Sequence, residues 1–457
     1  MTVRLSYFAH CRAILTLGLP LIGSHLAQMS LHVTDTVLLG WYGVRELAAV
    51  VLATSFFFML FILGSGFGIA VMGMVASAVG RQDEVQVRRD TRMGLWLSIL
   101  YGMAIVPVMW WSAPILRFAG QDPEVARLAQ DFLRIGGWGI VPALLIMVFK
   151  SYLAALEKTQ VVLWVTLAAV VVNFAIAWVL IFGHWGAPEM GVRGAAIASL
   201  TVQTFSFILL AFYAAFAPSL QRFQLFVRFW RPDWHAMRQV VRLGVPIGLT
   251  GLAESGLFIA AAMMMGWIGT VELAAHGIAM ELTALTFMLH LGLSNAATVR
   301  VGLAEGKGDV QAMRDSALTA MVLSAGVASL MVILFLVAPN TLIGLFLDKS
   351  KPEAANILVF ATTLLAVAAL FQMFDAMQVM ALGFLRGVQD TRVPMVIAAF
   401  SYWLIGIPTS YFLAFGFGLG GAGLWLGLVV GLVAASGLLM IRFWWGPWFS
   451  QAASVRA

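Results

Sequence analysis

Gly40-Trp41-Tyr42-Gly43-Val44-Arg45-Glu46-Leu47-Ala48-Ala49 returns 226 residues later as Gly266-Trp267-Ile268-Gly269-Thr270-Val271-Glu272-Leu273-Ala274-Ala275, with seven of ten positions identical. The same offset pairs Gly18 and Pro20 with Gly244 and Pro246, and Gly80 and Asp83 with Gly306 and Asp309. Further on, Pro123-Glu124 pairs with Pro352-Glu353 at an offset of 229. A register kept with small gaps over so long a stretch is an internal duplication. Two tandem copies of one unit are therefore the frame of the fold.

Each copy is built for oil. Hydrophobic types make up 61% of the 457 residues and charged types 11%, against about 25% charged in a soluble domain. A soluble protein of this composition could not cover its surface with polar groups. Apolar runs of roughly 18 residues or more, each enough to cross a bilayer, recur along the chain. They predict spans at 13–38, 47–78, 91–111, 132–156, 161–183, 190–217, 240–266, 273–303, 316–338, 357–386, 393–416 and 420–445. The runs are continuous rather than alternating, which excludes an outer-membrane barrel. The fold class expected is an all-α membrane protein of about twelve helices. The first run, from near Ile14, lacks a small-residue cleavage site and reads as a retained helix.

Alternating the loops from side to side gives 20 Lys and Arg on the side of the N-terminus and 7 on the other, which together are all 27. The positive-inside rule then places both termini on the cytoplasmic side of the membrane. Six spans per copy return the chain to its starting side, so the copies share one orientation and are related by an axis along the membrane normal. The expected division is a first lobe over 1–216, a cytoplasmic linker or interfacial helix over 217–242, and a second lobe over 243–457. Two such six-helix lobes around a central cavity suit alternating access.

Other classes drop out. The net charge of +6 comes from short loops, as an orientation device requires, and is no sign of nucleic acid. Cys11 is the single cysteine, so no intramolecular disulfide can form. No zinc-type His/Glu motif, Walker loop or nucleophile elbow is present, so the chain is not expected to be an enzyme or to carry a cofactor.

Four acids fall well inside spans: Asp35, Glu254, Glu281 and Asp375. A charge at mid-membrane costs roughly 2.5–3.5 kcal/mol on insertion scales, so such residues persist where they face water, pair, or work. His25, Gln28, His32 and Asp35 follow one another at spacings of three, four and three, which places them on one face of the first helix. Glu254 stands 226 residues beyond Gln28, so the copies carry their acids at different depths. Asp375 lies within Phe371-Gln372-Met373-Phe374-Asp375-Ala376-Met377-Gln378. Lys150, Arg300 and Arg386 fall near the cytoplasmic ends of their spans, where they are expected to snorkel. The interior is thus acidic with few cationic partners, which favours cations. A carboxylate in such a place is neutral with a proton or charged beside a cation, and rarely charged alone. Met263 with its neighbours Met264 and Met265, and Phe371 and Gln378, are candidates to line an adaptable pocket. Pro20, Pro142, Pro246 and Pro408 are expected to kink their helices.

At these residues the chain resembles the multidrug and toxic compound extrusion (MATE) family, and is most similar to its NorM-type bacterial branch. The segments that carry the resemblance are Val33-Thr34-Asp35-Thr36 with Gly40, the stretch 244–254, Glu272-Leu273-Ala274-Ala275-His276, and Asp375-Ala376-Met377-Gln378 running on to Leu385-Arg386-Gly387. It covers about residues 10–445. It implies a V-shaped pair of six-helix lobes and export of amphipathic cationic drugs and dyes, driven by inward flow of protons or sodium. It implies that Asp35 is the first-lobe coupling acid, with Asn173 in its network, and that Glu254 and Asp375 are the second-lobe acids. The resemblance departs at two positions: sodium-using members carry a Tyr where Phe371 stands, and a second polar residue usually stands four after Asn173, where this chain has Ala177. Fewer oxygens weaken a sodium site, since hard cations need several. Protons are therefore the expected ion, with Glu281 as a further acid; sodium would sit at Glu254 and Asp375 or at Asp35 and Asn173. The chain is expected to act as a monomer.

Three other readings compete. A flippase for a lipid-linked glycan precursor would want interior Arg and Lys for its anionic substrate. A major-facilitator carrier would show a basic Gly/Asp motif between its second and third helices, and 80–92 does not reproduce it. A membrane-embedded enzyme or structural subunit fits poorly with doubled symmetry and unpaired interior acids.

Overall fold

In oil a backbone N–H or C=O must find its partner within its own segment, so long apolar runs resolve as helices. The computed structural model of the chain, which describes residues 6–347 and 353–450, contains twelve helices long and apolar enough to cross a membrane among those residues, and no strand. They are α1 Tyr7–Tyr42, α2 Val44–Gly80, α3 Glu84–Trp110, α4 Pro123–Ala155, α5 Thr159–Phe182, α6 Val192–Phe216, α7 Trp234–Ile268, α8 Thr270–Gly306, α9 Val310–Val337, α10 Ala354–Gly387, α11 Arg392–Gly416 and α12 Gly420–Trp444. Arg4, Lys349, Lys351 and Arg456 of the charge count, and Pro352 of the repeat, lie outside the described residues.

Every expected span coincides with one of these helices, but several helices start earlier. The reason is local. Asp122 caps α4 by accepting from the N–H groups of Glu124 and Val125, with Pro123 at the first helical position. The first turns of α4 then bury Ala126, Ala129, Phe132 and Leu133 while their other face carries charge. Arg45 and Arg193 pair with Glu124 and Asp131 there, at 3.0 and 3.1 Å. An amphipathic segment of that kind escapes a search for continuous apolar runs.

The duplication is visible in the joints. Asp83 and Asp309, 226 apart, both cap the helix that follows, accepting from Gln86 N–H and Ala312 N–H at 2.9 and 3.0 Å. Such a cap contributes about 1 kcal/mol. Glu46 and Glu272 fold back over the N-cap glycines 43 and 269, where a Cβ would collide with their carboxylates. Gln82 and Gly308, again 226 apart, both adopt left-handed backbone, with φ of 60° and 66°. Glycine adopts that conformation freely and glutamine does not.

By packing, the described chain divides into two compact units: Gly23–Gly248, and the stretch from Leu249 onward together with the chain up to Ile22. The cuts fall inside α7 and α1 rather than in 217–242. In the first unit the early turns of α7 cross α2 so closely that a Cβ on Gly66 would fall on the Gly244 carbonyl. In the second unit the early turns of α1 cross α8, with Gly18 against Leu293 and Gly292 against Ile22. Gly66 and Gly292 are 226 apart, as are Gly18 and Gly244, so the two crossings are one design used twice. Small residues at such sites let backbones approach, which is how helices associate in lipid.

The 217–242 segment is not an interfacial helix. It holds one 3-10 turn, Gln221–Phe223, and α7 has already begun at Trp234. It is tied to α3 within the first unit. The Arg92 guanidinium donates to the carbonyls of Gln224, Leu225 and Val227, and Trp96 Nε1 donates to Phe229 O at 2.9 Å. Arg89 pairs with Asp233, and that hydrogen bond holds the Asp233 carboxyl below the usual carboxylate range.

Candidate functional site

The first unit centres on Asp35, a half-buried carboxylate near the end of α1. Its Oδ1 accepts from Asn173 Nδ2 on α5 at 2.8 Å, and its Oδ2 from Ser199 Oγ on α6 at 3.4 Å. Three helices thus converge on one acid, and both partners are neutral. Asp35 faces a cavity of about 180 Å³. Of the polar stripe on α1, Gln28, His32 and Asp35 line this cavity and His25 does not. Phe57, Phe58 and Phe61 of α2 form an aromatic wall, and Asn173, Ser199 and Gln203 add polar groups.

Ser199 was not legible as a partner. Position 177 supplies no second oxygen, since Ala177 is fully buried in the apolar core of this unit. The hydroxyl comes instead from α6, within a run of small residues, and only the packing of α6 against α5 turns it toward Asp35.

Lys150 departs most from expectation. It does not snorkel. It lines the cavity, and its Nζ donates to Gln28 Oε1 at 3.2 Å.

The second unit holds two acids close enough to act on each other, Glu254 on α7 and Asp375 on α10. Glu254 Oε1 accepts from Gln378 Nε2 at 3.2 Å. Asp375 is 2% exposed and Gln378 fully buried. Tyr402, also fully buried, reaches this centre from a π-helical stretch of α11, Phe400–Gly406. π-turns inside helices are frequent at functional sites. Tyr402 Oη sits beside Gln378, yet neither Tyr402 Oη nor Gln378 Oε1 makes a well-formed hydrogen bond. Buried oxygens without partners are uncommon in a native protein and call for an explanation. Arg386 lies in the last turn of α10, as expected, and is still near enough for Glu254 to feel its charge. No ion pair forms, however: among the described residues no Lys, Arg or His lies within 4.0 Å of the carboxylates of Asp35, Glu254 or Asp375.

The remaining candidates lie elsewhere. Phe371 is 2% exposed and packs in the apolar core, edge-on to Trp425 at 5.5 Å and tilted against Phe258 at 6.2 Å. Met263 is 59% exposed and Glu281 is exposed, with no hydrogen bond or ion pair to Glu281 among the described residues. Nor do the described residues contain a group of three or more His, Cys, Asp or Glu fit to hold a metal ion. Any cation at the Glu254–Asp375 pair would draw further oxygens from Gln378 and Tyr402. Tyr402 supplies from α11 the phenol that Phe371 lacks on α10. A tyrosine deep in a span is a visible signal, but its convergence with Glu254 is not.

The MatE family model matches residues 20–179 and 246–412. The chain is 49% identical to a protein of Rhizobium meliloti named as a probable multidrug resistance protein NorM, over 96% of this chain and 94% of that one. A protein of the same name from Agrobacterium fabrum is 46% identical over the same shares. Among solved structures, a eukaryotic MATE transporter superposes with a TM-score of 0.85 at 21% identity, covering 98% of this chain and 99% of that one. The outward-facing conformation of a multidrug resistance MATE family transporter gives 0.87 at 20% identity, covering 98% and 97%.

Proposed function

The chain belongs to the MatE family, and we propose that it is a multidrug antiporter of a bacterial inner membrane, expelling amphipathic organic cations in exchange for inward-moving protons. The two repeats, 1–216 and 243–457, are the bodies that alternate, and both termini face the cytoplasm. One observation carries this reading. Asp35, Glu254 and Asp375 lie inside spans, Asp35 held by an amide and a hydroxyl and Glu254 by an amide, and none of the three has an ion pair among the described residues.

The chemistry follows from desolvation. A carboxylate in a low-dielectric site is costly when bare and charged. Protonation removes that cost, and so does a cationic ligand. Each acid therefore holds a proton or a cation, and rarely neither. If the two states open to opposite sides, a proton carried inward is exchanged for a cation carried outward. Asn173 and Ser199 position Asp35 for that exchange without cancelling its charge. Phe57, Phe58 and Phe61 offer an apolar, cation-attracting wall for the organic part of the ligand.

Sodium is the second reading, and a specific observation favours it. The unpartnered oxygens of Gln378 and Tyr402 lie with Glu254 and Asp375, and hard cations are held by oxygens. Phe371 and Ala177 withhold two other oxygens, which keeps protons first.

The test is ion replacement. The purified chain is reconstituted in proteoliposomes with a fluorescent organic cation. A pH gradient in sodium-free buffer should drive dye movement. Sodium-dependent movement insensitive to pH would replace the proton by sodium, and movement under neither gradient would remove secondary transport altogether.

A further inference from the structure

The segment 217–242 is tied to α3 by its backbone, and that leaves its side chains to face outward. The Arg92 guanidinium takes up the carbonyls of Gln224, Leu225 and Val227. Gln224 and Arg228 adopt left-handed backbone in this turn, with φ of 47° and 57°. Residues other than glycine keep that conformation only where their surroundings fix it. Phe229 turns back and stacks on Trp96 at 5.8 Å. Phe226, Val227, Arg228, Trp230 and Arg231 are exposed, Val227 by 53% and Trp230 by 71%. The first turns of α7 add Trp234, Arg238 and Arg242, which are exposed and follow one another at spacings of four, on one face of the helix.

The charge of this stretch is one-sided. It holds five arginines and one acid, Asp233. Asp233 is taken by Arg89, and Arg222 pairs with Glu84 at 3.5 Å. Among the described residues Arg228, Arg231, Arg238 and Arg242 have no carboxylate within ion-pair distance. The stretch joins the end of one span to the start of the next, and Phe212 and Phe216 at the end of α6 are exposed as well. Exposed rings interleaved with arginines at the end of a span suit the boundary between water and lipid. The rings enter among the headgroups, and guanidinium groups hold phosphates. Four arginines without acids select a headgroup of net negative charge over a zwitterionic one. A free phosphate would leave the rings without a role. We propose that 217–242 is a binding surface for the headgroups of anionic phospholipids, fastening the connection between the two repeats to the bilayer surface. The proposal depends neither on the ion exchanged nor on the molecule exported.

Fluorescence quenching tests it. Cys11 is the single cysteine, so Val227→Cys in a Cys11→Ser background places one fluorophore on the surface. The full chain is set in phosphatidylcholine nanodiscs that contain a small fraction of brominated phosphatidylglycerol or, in parallel, the same fraction of brominated phosphatidylcholine. The brominated phosphatidylglycerol should quench about 5-fold more strongly or better, the scale of one basic side chain at an anionic surface. Arg228→Gln, Arg231→Gln, Arg238→Gln and Arg242→Gln together should remove the difference. With the arginines intact, raising salt from about 0.1 to 1 M should shrink it, because the Debye length falls from about 10 to 3 Å. Equal quenching by the two lipids, a preference that survives loss of the four arginines, or one that ignores salt would each overturn the proposal. The comparison of lipids and the salt series keep all four arginines, so neither depends on the folding of the four-fold variant. Reversal of the preference by inorganic phosphate at constant ionic strength would assign the surface to a free anion and overturn the lipid as its partner. A chain that fails to transport in the ion-replacement assay leaves this measurement standing.

Discussion

Asp35 and Asp375 occupy two copies of one duplicated unit, yet their surroundings differ in kind. Asp35 is half-buried, held by two neutral donors, and faces a cavity that it shares with Lys150. Asp375 is 2% exposed and sits with a second acid, Glu254, among Gln378 and Tyr402. A lone acid beside an aromatic cavity is suited to a large ligand. Two neighbouring acids, Asp375 buried and Glu254 half-buried, are suited to a small ion, because two bare carboxylates cannot stay charged together in oil without one. Duplication thus kept the scaffold, down to the caps at Asp83 and Asp309, while the interiors diverged.

The largest effect should come from removing the acids themselves. Asp35→Asn should abolish export and also weaken binding of a fluorescent cation, measured by polarisation. Asp375→Asn should abolish coupled export and leave that binding intact. If both variants lose binding alike, the division of labour between the units is wrong.

A smaller effect is expected at Tyr402. Tyr402→Phe removes one oxygen from the second unit, and should raise the ion concentration for half-maximal export by about 10-fold, the scale of one hydrogen bond to a charged group. The concentration dependence on the drug should not move. A shift on the drug axis instead would assign Tyr402 to ligand binding. Within the first unit, Asn173→Ala should impair export more than Ser199→Ala, since their bonds to Asp35 are 2.8 and 3.4 Å long. The reverse order, read from initial rates at matched expression, would mean that the hydroxyl rather than the amide sets the state of Asp35.

The smallest test sharpens the comparison of the scaffolds. Gln82 and Gly308 make the same left-handed turn, with a side chain in one unit and none in the other. Gln82→Gly should stabilise the chain by about 1 kcal/mol, read from thermal unfolding in detergent. Loss of stability would show that the Gln82 side chain makes a compensating contribution of its own.

Much of this was legible before any coordinates. The twelve spans follow from run length, and the helix starts that were missed follow from charged residues on one face of an otherwise buried turn, as at Ala126, Ala129 and Phe132. Gln28, His32 and Asp35 were placed on one face by spacing alone, and they share one cavity; His25, from the same stripe, does not line it. The depth of Lys150 along its span predicts snorkelling, whereas an ammonium on a long stem goes where a polar partner waits, here Gln28. As an aromatic, Phe371 is a candidate to line a pocket, but its side of α10 packs against Trp425.

The sequence alone determined that the chain crosses a membrane about twelve times, that it is one unit written twice, and that carboxylates are embedded in it. Those are consequences of apolar run length, repetition and the cost of charge in oil, all of which are properties of residues in order. The tertiary structure alone brings Ser199, Lys150 and Tyr402 to the acids: Ser199 donates to Asp35, Lys150 lines the cavity of Asp35, and Tyr402 lies near Glu254 and Asp375. Each comes from a different helix than the acid it serves, and which face a helix turns inward is fixed by its neighbours rather than by its own residues.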